Sequence, residues 1–252
     1  MSSKRFENQT AFVTGAAEGI GKGVAHRLAQ EGATVVLCDI NESSLKATAG
    51  EFSNANLQVE TQCIDISQEP QVQEALDGVM RDHGRLDVVV NCAAVVGPTG
   101  INICDYPVEE LDKLCLVNFR GAFLVTKYSI MHMRKRNYGR ILLYSSVAGK
   151  EGNPNACGYS TTKAAVIGLV KGTGKEFAET GITVNGIAPA VIKTKMVEAT
   201  APQQVEYMLS KIPMKRCGTI EEAAALSAWI VSPECSFVTG FIFDLTGGRA
   251  TY

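Results

Sequence analysis

Seven short runs rich in β-branched and apolar residues recur along the chain, at residues 10–14, 34–39, 58–64, 86–91, 140–145, 183–187 and 241–245, with helically spaced stretches between them. This alternation, unbroken by a linker, a low-complexity stretch or a solenoid repeat, admits few folds. Successive parallel strands need a crossover, and crossovers are right-handed. It predicts an α/β fold: one domain over residues 1–252, built as a Rossmann-type doubly wound parallel sheet with helices on both faces. Val88-Val89-Val90 predicts a strand covered on both sides. Ile20, Val24 and Leu28, with Gly32 behind them, predict the first helix. Further helices are expected at 43–52, 67–83, 108–137 as one long element, 159–179, 203–211 and 221–231. Loops are expected at 92–107 and 188–202.

Ligands of such a sheet bind beyond the carboxyl ends of its strands. The glycine cluster 15–21, Asp39, Asn91 and Ser146 all fall there, so the topology converges them on one cleft. The cluster Gly15-Ala16-Ala17-Glu18-Gly19-Ile20-Gly21 fits either an ordinary tight turn or a loop whose backbone approaches a pyrophosphate at a helix N-terminus. Asp39 closes the second strand about 20 residues on, the separation of a dinucleotide fingerprint in which a carboxylate accepts the adenosine ribose hydroxyls. Tyr159 and Lys163 would share one helix face. An exposed pair explains that spacing, and so does a phenol serving as general base with an ammonium stabilising its phenolate.

Charge and composition remove whole classes of function. A net charge of -2 from 24 basic and 26 acidic residues leaves no footprint for nucleic acid or an anionic membrane. The basic run at 134–136 reads as a solvated helix end. Eight scattered cysteines without a Cys-x-x-Cys pair read as reduced thiols, and three histidines give no zinc spacing, so no metal is expected. A polar N-terminus and the lack of a long apolar run predict a cytoplasmic protein without a cleaved signal or membrane span.

Taken together, these motifs resemble the classical short-chain dehydrogenase/reductase family over essentially the whole chain. Thr14-Gly15-Ala16-Ala17-Glu18-Gly19-Ile20-Gly21 is similar to its Thr-Gly-x-x-x-Gly-x-Gly coenzyme motif, and Asn118, Ser146, Tyr159 and Lys163 match its catalytic tetrad, with Ser146 lying 13 residues before Tyr159. The resemblance implies coenzyme contacts from Gly15, Glu18, Gly19, Ile20, Gly21, Asp39, Asp65, Ile66, Asn91, Tyr159, Lys163, Ile192 and Thr194, with Asp65 at the adenine ring. It implies that Asn118 distorts its helix and passes a proton through a water. Two family glycines are replaced here, by Ala94 in Asn91-Cys92-Ala93-Ala94 and by Ala190 in Pro189-Ala190. Because alanine resists positive φ, a re-aimed cleft is expected at both.

The implied chemistry is hydride transfer from a secondary alcohol, with Tyr159 as base, Lys163 lowering its pKa and holding the nicotinamide ribose, and Ser146 orienting the reacting oxygen. Asp39 and Glu18 would repel a 2'-phosphate, so NAD is expected and with it the oxidative direction. Residues 148–158 should line a polar pocket suited to a small hydroxylated substrate. The segment Pro189-Ala190-Val191-Ile192-Lys193-Thr194 and the ending Gly247-Gly248-Arg249-Ala250-Thr251-Tyr252 resemble family members acting on 2-keto-3-deoxy sugar acids. Lys150, Lys193 or Arg249 from a neighbouring subunit would then meet the acid, and Ser146 and Tyr159 the hydroxyl. The rival activities are a 3-oxoacyl carrier-protein reductase or general carbonyl reductase using NADPH, and a non-catalytic dinucleotide sensor. The resemblance also implies a homo-oligomer, a tetramer before a dimer. Ala164, Ala165, Ile167, Gly168 and Val170 fit either core or interface.

Overall fold

Seven parallel strands lie in the order β3-β2-β1-β4-β5-β6-β7. The computed structural model describes residues 4–194, 197 and 202–252. The strands are β1 Thr10–Thr14, β2 Thr34–Asp39, β3 Val59–Cys63, β4 Val88–Asn91, β5 Gly139–Tyr144, β6 Ile182–Pro189 and β7 Ile242–Leu245. The order reverses between β1 and β4, where the cleft forms at the carboxyl edge.

Helices cover both faces because alternate side chains of each strand point to opposite sides. Ala11, Val13, Val35, Leu37, Val88, Val90 and Leu142 face one way and pack with Val24 and Leu28 of α1 (Gly19–Gln30), Leu45 and Phe52 of α2 (Glu42–Asn54) and Ala224 and Ala228 of α9 (Ile220–Ile230). Phe12, Val36, Val89, Ile141 and Leu143 face the other way. They meet Val72, Leu76 and Val79 of α3 (Glu69–His83), Val125 of α5 (Ala122–Met133) and Val166 and Val170 of α7 (Cys157–Glu176). Each Val, Leu, Ile or Phe side chain among them contributes about 1.5–3 kcal/mol on burial. The continuous apolar character of the strands therefore reflects burial on both faces.

The expected single helix at 108–137 is divided. It comprises α4 (Val108–Leu114), a π-helical segment (Cys115–Gly121) containing Asn118, α5, and a 3-10 turn (Arg134–Arg136) closed by Asn137 at φ 49°. A π segment widens the backbone at a point where side-chain bonds compete with the regular ladder, and such bulges gather at functional sites. The segment between Ser146 and Tyr159, expected to line a polar pocket, contains a short helix, α6 (Val147–Glu151), and α7 starts at Cys157, two residues before Tyr159. Within the loop expected at 188–202, residues 195, 196 and 198–201 lie outside the described residues, as do Met1 to Ser3 of the polar N-terminus. A helix follows at Pro202–Ser210 (α8). Neither Ala94 nor Ala190 has positive φ, so the two glycine replacements carry no backbone strain. Among the described residues no helix is long and apolar enough to cross a membrane, and no group of three metal-ligating side chains forms. All eight cysteines are unpaired.

Candidate active site

Backbone contact builds the glycine loop. Gly15 adopts φ 63°, and a Cβ there would lie 2.8 Å from the Ala93 nitrogen. A Cβ on Gly21 would lie 2.1 Å from the Gly15 carbonyl oxygen, so α1 can begin this close to β1 only without a side chain. Thr14 Oγ1 donates to Asn91 Oδ1 at 2.7 Å and accepts from the Ala93 nitrogen at 3.2 Å, which ties β1 to the chain leaving β4. Asn91, 3 % exposed, thus braces the floor of the cleft. The α1 N-terminus has no side-chain cap, since Glu18 is extended and exposed, so its first turn presents N–H groups to an anion.

Asp39 stands at the end of β2 with Oδ2 accepting from the Ala17 nitrogen at 3.1 Å and Oδ1 from the Asn41 nitrogen at 3.0 Å. Each oxygen retains acceptor capacity for a ribose hydroxyl. Asp65 follows β3, accepting from the Ser67 nitrogen at 2.9 Å, and Ile66 is buried against Gly121. Ile192 is buried and bridges Gly218, while Thr194 Cγ2 lies 3.8 Å from where a Gly19 Cβ would stand. Tertiary structure therefore folds residues 192–194 over the glycine loop from the far half of the chain. A cradle that tolerates no Cβ, an uncapped helix start and a carboxylate at the ribose position fit a dinucleotide.

The tetrad gathers from three elements. Ser146 caps α6 by accepting from the Ala148 nitrogen at 3.1 Å, and its hydroxyl acts on the Tyr159 phenol. Lys163 is 4 % exposed; its Nζ lies 5.7 Å from the Tyr159 ring centre and donates to the Tyr144 carbonyl at 2.9 Å. Burial pushes the Lys163 ammonium down to about 8. Burial also raises the Tyr159 phenol above its ordinary value, with the Ser146 hydrogen bond opposing. The Lys163 ammonium is engaged at the end of β5, and desolvation is the largest influence on the Tyr159 phenol.

The Asn118 side chain is fully engaged within the chain. Its Nδ2 donates to the Val95 carbonyl at 2.8 Å and to Thr162 Oγ1 at 3.1 Å, while Oδ1 accepts from the Val95 nitrogen at 2.8 Å. The side chain is a brace joining the π segment, the β4 loop and α7. Thr162 passes that brace on by donating to the Tyr159 carbonyl at 2.9 Å.

Sequence reasoning missed Thr162, although it sits inside the Tyr-x-x-x-Lys motif, and it left Ser145 unassigned beside Ser146. Ser145 Oγ donates to the Lys163 carbonyl at 2.7 Å, fixing α7 to the end of β5. Nothing local marks Tyr144, whose contribution is a main-chain carbonyl.

Two expected substrate cations are engaged elsewhere. Lys150 pairs with Asp244 at 2.8 Å and contacts the main-chain oxygen of Tyr252. Arg249 pairs with Glu151 at 2.7 Å. Both cations are thus paired with carboxylates of their own chain. A separate groove of about 680 Å³ follows the outer face of the π segment and is lined by Cys115, Leu116, Phe119 and Phe123 with Asp112 and Arg120.

With this geometry established, known proteins provide a comparison. A family model described as enoyl-(acyl carrier protein) reductase, the adh_short_C2 group, matches residues 15–249. The chain is 38 % identical over 248 residues to 2-dehydro-3-deoxy-L-rhamnonate dehydrogenase (NAD(+)) of Sphingomonas sp. (strain SKA58), covering 98 % of each chain. It is 36 % identical to the 3-oxoacyl-[acyl-carrier-protein] reductase FabG of Thermotoga maritima, covering 97 % of this chain and 98 % of the relative. Among solved structures, NAD+-bound xylitol dehydrogenase superposes with a TM-score of 0.91 at 31 % identity, over 96 % of this chain and 99 % of the other.

Proposed function

The chain belongs to the short-chain dehydrogenase/reductase family, and from that membership we propose that it is an NAD-dependent dehydrogenase oxidising a secondary alcohol of a small hydroxylated substrate, a sugar or a 2-keto-3-deoxy sugar acid. One observation carries the reading. Ser146 at the start of α6, and Tyr159 with Lys163 one helical turn further on in α7, stand at the same sheet edge as the glycine cradle and Asp39. The sugar-acid preference draws on the Sphingomonas relative, and the preference for NAD on that relative, on the xylitol dehydrogenase and on the two carboxylates Asp39 and Glu18.

Nicotinamide, when bound, supplies the hydride acceptor. Gly15, Gly19, Ile20 and Gly21 would hold the pyrophosphate and Asp39 the adenosine ribose, with Asp65, Ile66, Ile192 and Thr194 around them. Tyr159 takes the proton from the substrate hydroxyl, which Ser146 orients through Oγ. Lys163, close to half-charged near pH 8, stabilises the phenolate once proton transfer begins. Asn118 and Thr162 keep the start of α7 at a fixed distance from the β4 loop.

Tyr159→Phe tests the reading. Turnover of NAD with 2-dehydro-3-deoxy-L-rhamnonate, xylitol and a panel of polyols should fall about 10²–10⁴-fold while NADH binding, read by fluorescence, is retained. In the wild type, kcat/KM for oxidation should climb with pH above 7, up to about tenfold per unit, because the phenol ionises above its ordinary value. Full activity in the variant would sink the assignment of Tyr159 as base, whereas NADH binding without turnover in the wild type, unchanged in the variant, would make the protein a dinucleotide sensor.

A second reading, reduction of a carrier-protein-bound oxoacyl group, draws on the Thermotoga relative. It requires efficient use of NADPH, which the same assay scores. We also favour a cytoplasmic homotetramer; Leu116, Phe119 and Phe123 line an exposed apolar groove suited to a second copy.

A further inference from the structure

The serine-bearing helix is held from outside by the segment that follows β7. We infer that Lys150, Glu151, Asp244, Arg249 and Tyr252 form a strap that positions α6, and thereby Ser146, against Tyr159. The inference rests on the proposed role of those two residues.

Helix α6 has only five residues, too few to stand alone in water. Ser146 is its N-cap, so the direction of Ser146 Oγ follows the placement of α6. Helix α7 secures one side: a Cβ on Gly149 would lie 2.6 Å from the Lys163 carbonyl carbon, so the two helices touch through backbone. Residues 244–252 secure the other. Lys150, with 6 % of its side chain exposed, donates to Asp244 Oδ1 at 2.8 Å, and its Nζ lies 5.4 Å from the Tyr252 ring centre. Tyr252 returns the contact, its hydroxyl donating to the Lys150 carbonyl at 2.8 Å. Arg249 donates from Nε to Glu151 Oε2 at 2.9 Å and from Nη2 to Asn153 Oδ1 at 3.3 Å. The Asn153 nitrogen in turn donates to Ser160 Oγ at 3.0 Å, which carries the strap to the residue after Tyr159.

The strap itself is braced. Thr246 Oγ1 accepts from the Ala250 nitrogen at 3.1 Å, closing a turn through Gly247 at φ 61° and Gly248 at φ 88°. Asp244 lies on β7 in register with Ala188 of β6. The serine helix is therefore referenced to the sheet through two charged pairs. The cations at 150 and 249 serve this purpose in place of substrate binding.

Charge reversal at the more exposed pair tests the strap. Arg249→Glu, Glu151→Arg and the double variant are compared by NMR titration of tyrosine labelled with carbon-13 at Cζ, with the Tyr159 signal assigned through Tyr159→Phe. Each single variant should raise the Tyr159 midpoint by about half a pH unit or more, as the Ser146 hydrogen bond loosens, and the double variant should return it. With 2-dehydro-3-deoxy-L-rhamnonate, kcat should fall about tenfold in the singles and recover in the double, at unchanged NADH affinity. Tyr252→Phe, which removes one hydroxyl, should shift the midpoint in the same direction by less. Wild-type titration in both folded single variants, or no return in the double, overturns the strap. If a single variant does not fold, Tyr252→Phe decides by the same measurement. The titration needs no substrate, so it judges the strap even where Tyr159→Phe has refuted the proposed chemistry.

Discussion

The two halves of the cleft are held in different ways. On the nucleotide side, loop, strand and helix meet through backbone: Gly15 against Ala93, Gly21 against Gly15, and the Asp39 carboxylate on the Ala17 and Asn41 nitrogens. On the substrate side, α6 is placed by side chains from far along the chain, Lys150 with Asp244 and Arg249 with Glu151. A backbone-built site tolerates few residue types and shows in local sequence. A side-chain-built site can be assembled from many different pairs, so the same geometry leaves little local trace.

The largest effect that would break this contrast is expected from Gly21→Ala. Its methyl would meet the Gly15 carbonyl at 2.1 Å, and neither backbone can yield without moving β1 or α1. A loss of about 2–3 kcal/mol in urea unfolding, together with NADH binding weakened more than tenfold, is expected from such overpacking. Wild-type binding in that variant would show the loop to be looser than a backbone-built site allows.

Asp39→Ser sharpens the contrast at intermediate size. Removing the carboxylate relieves repulsion of a 2'-phosphate and takes away the acceptor for the ribose hydroxyls. The ratio of kcat/KM for NAD over NADP should fall about 100-fold, or about 2.7 kcal/mol. An unchanged ratio would move the source of discrimination to Glu18.

Thr219→Ala gives the smallest effect. Thr219 and Glu222 form a reciprocal capping box at the start of α9, which packs on α1 where Gly23 faces Ile220. Its loss should cost about 1 kcal/mol of stability and leave NADH affinity unchanged. A matching loss of affinity would mean that side chains, too, hold the nucleotide side.

Reading the sequence brought out the alternation, the glycine loop, Asp39 and the Tyr159–Lys163 pair, because each is fixed by periodicity or by spacing within a motif, while Asn118 and Ser146 entered through the family resemblance. The break in the helix around Asn118 was legible through the family resemblance, and the structure supplies its bonds, to Val95 and Thr162. Helix α6 left no mark in the pattern because five residues with glycines at 149 and 152 carry too little periodicity. Lys150 and Arg249 stood out as cations, but their acidic partners lie 94 and 98 residues away, beyond any local pattern.

By itself, the sequence determined the doubly wound sheet, the glycine loop and the shared helix face of Tyr159 and Lys163, since these follow from strand period, helix period and steric exclusion at glycine. Tertiary structure alone decided that Lys163 is desolvated and bound to the Tyr144 carbonyl, that Asn118 braces the cleft, and that Lys150 and Arg249 spend their charge on Asp244 and Glu151. Protonation and pairing depend on which groups are brought together and shielded from water, and that is set only when distant segments close over one another.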